Sequence, residues 1–93
     1  MDIRYYLDPD SGLPHIYQHG VREEEVEQVI RAKGEDLPAK QGARMKLGQT
    51  EAGRYLQVIY TLDDLGFSIF VITAYELSGK AKQAFRRRRR KRG

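Results

Sequence analysis

Two stretches constrain the fold most. Arg54 to Thr61 reads RYLQVIYT and Phe67 to Tyr75 reads FSIFVITAY, and both are rich in β-branched and aromatic residues on both faces. Such runs fit the centre of a sheet that is at least partly covered on both sides. The four residues between Leu62 and Phe67, Asp63 to Gly66, are short enough for a hairpin, so these two strands are expected to be antiparallel. Ala43 to Gly48 reads as a third strand with Met45 and Leu47 on one face and Arg44 and Lys46 together on the other, joined to its successor by another short turn.

Before Ala43 the apolar period is different. Met1 to Leu7 reads as a short first strand closed by the turn-forming DPDSG of Asp8 to Gly12, and Leu13 to His19 forms two turns of helix stopped by Gly20. Glu23 to Ala32 has Val26, Val29 and Ile30 at helical spacing, with Glu23, Glu24 and Glu25 in the first turn where the helix dipole favours negative charge. Lys33 to Gly42 is assigned to loop by its Gly, Pro and charge content. From Ser78, as cap, a last helix carries Ala81, Ala84 and Phe85 on a small apolar face, and arginine, a good helix former, can prolong it. The expected class is α+β: a short N-terminal strand, one or two helices, a curved antiparallel sheet of three to four strands and a C-terminal basic helix. A chain of 93 residues holds one such domain, placed at residues 1–86, followed by a basic tail at residues 87–93.

Charge is divided unevenly along the chain. Seven of the 17 Lys and Arg residues fall in Arg86 to Arg92, so the remainder holds ten against 13 acidic residues, a net −3. A polyanion or an acidic partner suits that asymmetry, with a solvated, self-repelling end as the plain alternative. The chain has no cysteine, so neither disulfides nor a thiolate nucleophile are available, which suits a reducing compartment. The opening MDIRYYLDPD has neither the basic start nor the apolar stretch of a secretory leader, and no membrane span is expected. A cytoplasmic location follows as the expectation.

Few motifs carry chemistry. His15 and His19 stand four apart in HIYQH and share a face if that segment is helical. Ile16 replaces the glutamate that H-E-x-x-H requires, so no metal and no other cofactor is expected, although either imidazole can act as a general acid or base. The acidic groups EEEVE and LDDL lie on a helix surface and in a turn. No phosphate-binding glycine loop, dinucleotide fingerprint or serine-hydrolase elbow is present. What remains is a basic and aromatic set, Arg44, Lys46, Arg54, Tyr55, Tyr75, Lys80, Lys82 and Arg86, of the kind that holds phosphates and stacks on unpaired bases. Its plain alternative is an ordinary solvated strand face with half-buried tyrosines.

Three strings resemble one known family. HGVREEEVEQVI, GARMKLGQTEAGRYLQVIYT and FVITAYELSGKAKQAFRRR are similar to segments of the BrnT-like toxins, small bacterial proteins of the wider RelE-like superfamily, and of related short domains of unknown function. The resemblance runs from Ile3 to about Arg88. It implies the toxin of a type II toxin–antitoxin pair, acting as a metal-independent endoribonuclease that inhibits translation, with a DNA-binding antitoxin encoded in the adjacent gene. Carried over by position, it implies that Arg54 and Lys46 are catalytic; Tyr75, which the family pattern does not supply, joins them as a catalytic group that would orient or protonate. It likewise implies that Arg44, Lys80, Lys82 and Arg86 bind RNA, and the C-terminal charge run adds Arg87, Arg88, Arg89 and Arg90 to that set. One departure stands: where those toxins have an Ala-Arg or Met-Arg step, this chain has Ala74-Tyr75, which replaces a phosphate-binding guanidinium by a ring able to stack on a base. The alternative reading is a non-catalytic nucleic-acid- or protein-binding module on the same fold, followed by a toxin directed at DNA gyrase.

Overall fold

The computed structural model describes residues 2–91; Arg92 and Gly93 of the expected tail lie outside the described residues. Within them the chain is α+β. Strand β1 (Asp2–Tyr5) leads through a 3-10 turn (His15–His19) to helix α1 (Glu23–Arg31). Strands β2 (Glu35–Pro38), β3 (Arg44–Gln49), β4 (Tyr55–Leu62) and β5 (Ser68–Glu76) follow, and helix α2 (Gly79–Lys91) closes the chain. The described strands form one five-stranded sheet in the order β1-β5-β4-β3-β2.

Three details differ from the sequence expectation. The sheet is mixed, because β1 pairs with β5 in parallel while the other pairings are antiparallel. Parallel pairing depends on how the intervening chain packs, and no local pattern announces it. The segment expected to be loop contains β2, whose Glu35, Asp36, Leu37 and Pro38 have little strand character. It is an edge strand, with Pro38 at its end. Partners outside the segment hold it: Arg44 and Tyr60 bind Asp36, and Arg88 binds Glu35. Finally, the two helical turns expected over Leu13 to His19 shrink to the 3-10 turn. Gly20 ends it at φ 68°, a left-handed conformation that suits glycine.

The two faces of the sheet are covered unequally. On one face α1 and the 3-10 turn seal a core of Ile16, Val21, Val26, Val29, Leu56, Val58, Tyr60, Ile69, Val71 and Ala74. Each fully buried side chain of this size contributes about 1.5–3 kcal/mol relative to exposure. On the other face α2 lays Phe85 onto Leu47 and Leu77, with Met45 and Tyr55 beside them. Helix α2 thus covers only part of this face, and Gln57, Ile59, Ile72 and Tyr75 line an open groove of about 450 Å³ next to it. A register shift between Ile59 and Tyr60 leaves Ile72 as the extra residue of a bulge, which adds to the local twist of this face. At the β2 border Gly34 permits a close crossing, since a Cβ there would lie 2.2 Å from the carbonyl oxygen of Leu47.

Candidate nucleic-acid interface

The cations on the body of the domain are engaged. Arg54 sits just before β4, with its guanidinium facing the start of α1. Its Nη1 donates to the Glu25 carboxylate at 3.0 and 3.2 Å and to the Gly20 carbonyl at 2.8 Å, while its Nε donates to Glu76 at 2.8 Å. The Glu76 hydrogen bond foremost, and Glu25 beside it, raise the Arg54 pKa above its ordinary value. Burial pushes the Glu25 carboxyl up, but the Arg22 amide and Arg54 outweigh it and leave the group below the ordinary carboxylate range. Arg54, expected among the phosphate-holding and catalytic residues, is instead the centre of a two-carboxylate clamp.

Lys46 is occupied differently. Its Nζ donates to the carbonyls of Ile30 at 3.3 Å and Ala32 at 2.9 Å, groups that the end of α1 leaves without helical partners. Arg44 binds Asp36 through Nε at 2.8 Å, and the Tyr60 hydroxyl donates to the other carboxylate oxygen. Burial, then Asp36, pushes the Tyr60 hydroxyl up to about 12, so it stays a donor throughout the physiological range. Arg44 and Lys46 do share a face of β3, as the alternation requires, but one fastens β2 and the other caps α1.

Helix α2 is the contrast. Arg88 alone among the α2 cations forms an ion pair within the described residues, reaching Glu35. Lys80, Lys82, Arg86, Arg87, Arg89 and Arg90 have no carboxylate at ion-pair distance among the described residues, and all but the half-buried Lys82 are exposed. Lys82 and Arg86 flank the ring of Tyr55, at 5.2 and 5.9 Å from its centroid, and Arg89 lies 5.7 Å from that of Phe85. Arg86, Arg89 and Arg90 line a groove of about 320 Å³ with Gln49 and Tyr55. The helix continues without a break through Lys91, so the described arginines project from a regular scaffold that Phe85 anchors.

The α2 surface continues onto the open half of the sheet. Tyr55 and Gln57 occupy the same face of β4, two residues apart. Gln57 is paired with Tyr75 of β5 and donates to its hydroxyl at 2.9 Å. Beyond Tyr75 the rings form a ladder: Tyr75 to His19 at 5.7 Å, His19 to His15 at 5.3 Å, and His15 to Tyr6 at 6.0 Å between centroids. Asp8, a buried carboxylate, lies 3.6 Å from Nδ1 of His15 and accepts from Gln18.

Of the residues expected to be catalytic, only Tyr75 belongs to this assembly; Lys46 and Arg54 are turned to other work. Sequence reading missed Tyr6, Asp8 and Gln57. The polar Gln57 inside RYLQVIYT was the one visible signal, because a fully covered strand would place an apolar residue there. Among the described residues no three His, Asp or Glu side chains cluster as metal ligands, and no helix is long and apolar enough to cross a membrane. Compared with known proteins, the chain matches no family model, no curated protein and no solved structure.

Proposed function

We propose that this protein binds single-stranded RNA, gathering the backbone on α2 and holding bases along the Tyr55–Gln57–Tyr75–His19–His15–Tyr6 path. The observation that carries this reading is the continuity between cations that have no carboxylate partner among the described residues and a ladder of exposed and half-buried rings. Proteins that hold single strands combine these two elements, a basic surface for phosphates and ring faces for bases. Duplex RNA hides its base faces, so the ring ladder favours a single strand. In the cell we propose the role that the BrnT-like strings imply: a cytoplasmic toxin whose neighbouring gene encodes a DNA-binding antitoxin able to mask the basic surface.

Titration of labelled oligoribonucleotides tests the binding. Single-stranded RNA is expected to bind more tightly than a duplex of equal length, and Tyr75→Ala to weaken the single strand by about 1–3 kcal/mol, the worth of one stacked base. Equal affinity for the duplex, with no effect of Tyr75→Ala, would remove the ladder from the interface. Expression of the chain alone is expected to slow bacterial growth, and co-expression of the adjacent gene to relieve it. Unimpaired growth at verified folded expression would count against the toxin role while leaving the binding measurements to stand.

A further inference from the structure

We infer that this chain forms a two-fold dimer by pairing the β1 edge of its sheet, antiparallel, with the β1 edge of a second copy. The two edges of the sheet are built differently. Strand β2 carries Pro38 and is fastened by Arg88 of α2, and both features blunt an edge. Strand β1 has no proline, and its register with β5 runs without a bulge. Its hydrogen bonds alternate along the chain. The amide of Asp2 donates to Phe67 at 3.3 Å, that of Tyr6 to Val71 at 2.8 Å and that of Asp8 to Leu13 at 2.8 Å, while the Tyr6 carbonyl accepts from His15 at 2.9 Å. The even-numbered residues thus face β5 and residues 13–15. Strand geometry then turns the amides and carbonyls of Ile3, Tyr5 and Leu7 the other way, where no described strand lies. Such a row of backbone groups is a template for another strand. Exposed apolar side chains flank it, with Tyr6 42%, Leu7 53% and Leu13 53% exposed.

The occupant is a second copy because this edge is complementary to itself. About a two-fold axis at Tyr5, Ile3 of one copy lies opposite Leu7 of the other, Tyr5 opposite Tyr5, and Arg4 opposite Tyr6. Each outward residue then exchanges both backbone hydrogen bonds with its opposite, as the antiparallel ladder requires. Ile3 and Tyr5 stand on the face that α1 covers, so their new partners extend an apolar surface already begun there. On the other face Arg4 sets a cation beside the Tyr6 ring. Charge selects this register: an axis at Arg4 would set Arg4 opposite Arg4, a like-charge pair, and an axis at Ile3 would leave Leu7 with no described residue opposite it. The basic helices do not oppose the pairing. Arg88 on Glu35 of β2 and Phe85 on Leu47 of β3 hold α2 toward the far edge of the sheet, so the two α2 helices stay at opposite ends of the dimer. The interface is isologous, and one sheet runs through both copies. The inference is independent of the RNA-binding reading.

Sedimentation equilibrium of the full chain, free of RNA and over a concentration series, tests the association. A shift from one copy to two with rising concentration is expected. Leu7→Lys, at an exposed position, is expected to weaken the dimer by about tenfold, because the axis repeats the lost pair with Ile3 and lysine blunts an edge. Melting curves establish that the variant is folded. Disulfide trapping reads the register independently of that substitution, on a chain that has no cysteine of its own. An equimolar mixture of Arg4→Cys and Tyr6→Cys proteins, both altered at exposed positions, is expected to cross-link as the mixed dimer under mild oxidation. Each variant alone is expected to stay largely unlinked, since its cysteines sit diagonally across the axis, beyond the reach of a disulfide. A chain that is monomeric at every concentration overturns the inference. A dimer that the mixture fails to trap, or that Arg4→Cys traps with itself, overturns it by placing the contact elsewhere or in another register. A dimer unaffected by folded Leu7→Lys overturns it as well.

Discussion

Arginine does opposite work at two places in this molecule. Arg54 is clamped between Glu25 and Glu76 with its side chain 28% exposed, while Arg86, Arg87, Arg89 and Arg90 stand on α2 with no carboxylate at ion-pair distance among the described residues. The difference comes from what surrounds them. The body is net acidic, so a cation within it finds a carboxylate or an unsatisfied carbonyl; α2 concentrates like charges beyond the reach of that supply. Adjacent like charges on a helix repel, which destabilises it modestly unless Phe85 and the Glu35 pair hold it down. A cation left unsatisfied at that cost is available to a polyanion, and one already satisfied is part of the fold.

The largest effect expected from this contrast is at Arg54. Arg54→Ala strands Glu25, whose side chain is 9% exposed, beside only the Arg22 amide and side chain. Leaving a buried charge without its partner typically costs about 3 kcal/mol. The variant is therefore expected to melt well below wild type, and its folded fraction to bind RNA with unchanged salt dependence. A cool-temperature binding defect in a fully folded variant would place Arg54 in the interface. The pH dependence sharpens the point. The folded Glu25 carboxyl lies below its ordinary value near 4.5, so its contribution is complete above that pH and is lost as pH falls through the lower folded value. Wild type should lose stability across that acid window more steeply than Glu25→Gln, as measured by denaturant midpoints.

On α2 the expected effects are smaller for folding and decisive for binding. Arg86→Ala, Arg87→Ala and Arg90→Ala combined remove three cations without touching Phe85. Each phosphate neutralised on a single strand contributes roughly 0.7 to the slope of log affinity against log salt, so the slope should fall by about 2 and affinity at moderate salt by roughly fiftyfold. The melting temperature should hold or rise, because like-charge repulsion is relieved. An unchanged slope would reduce the arginines to a solvated helix face.

How much of this was legible in the sequence depends on how far apart the determining residues lie. The alternation in RMKLGQ, RYLQVIYT and FSIFVITAY is local, and the three central strands follow from it to within a residue or two. Strand β2 does not, because its residues are held by Arg44, Tyr60 and Arg88 from three other elements. The site behaves likewise. HIYQH announces two histidines on neighbouring turns, but the positions of Asp8 and Tyr75 around them depend on the DPDSG turn and on strand pairing far along the chain. Charge sign was legible at Arg54 and Lys46; their occupation was not, since the carboxylates and carbonyls that satisfy them come from α1 and β5.

The smallest expected effect is also the finest division between the two roles, because it separates neighbours on one helix. Arg88 reaches the Glu35 carboxylate, with side chains 45% and 7% exposed, so this pair fastens α2 to the edge strand β2. Arg87, one residue earlier, is exposed and has no carboxylate at ion-pair distance among the described residues. A hundred degrees of helical rotation separates the two side chains. Arg88→Ala should therefore cost stability, about 1–3 kcal/mol because the Glu35 carboxylate that loses this partner is buried, and leave the salt slope nearly as it was. Arg87→Ala should leave the melting curve unchanged and lower the slope by about 0.7. Equilibrium denaturation and salt-dependent RNA titration of the same two proteins read both quantities. If the losses are interchanged, with Arg87 stabilising the fold and Arg88 setting the slope, the ion pair with Glu35 does not govern the role of a cation on this helix, and the contrast between the clamped body and the open helix fails at its boundary.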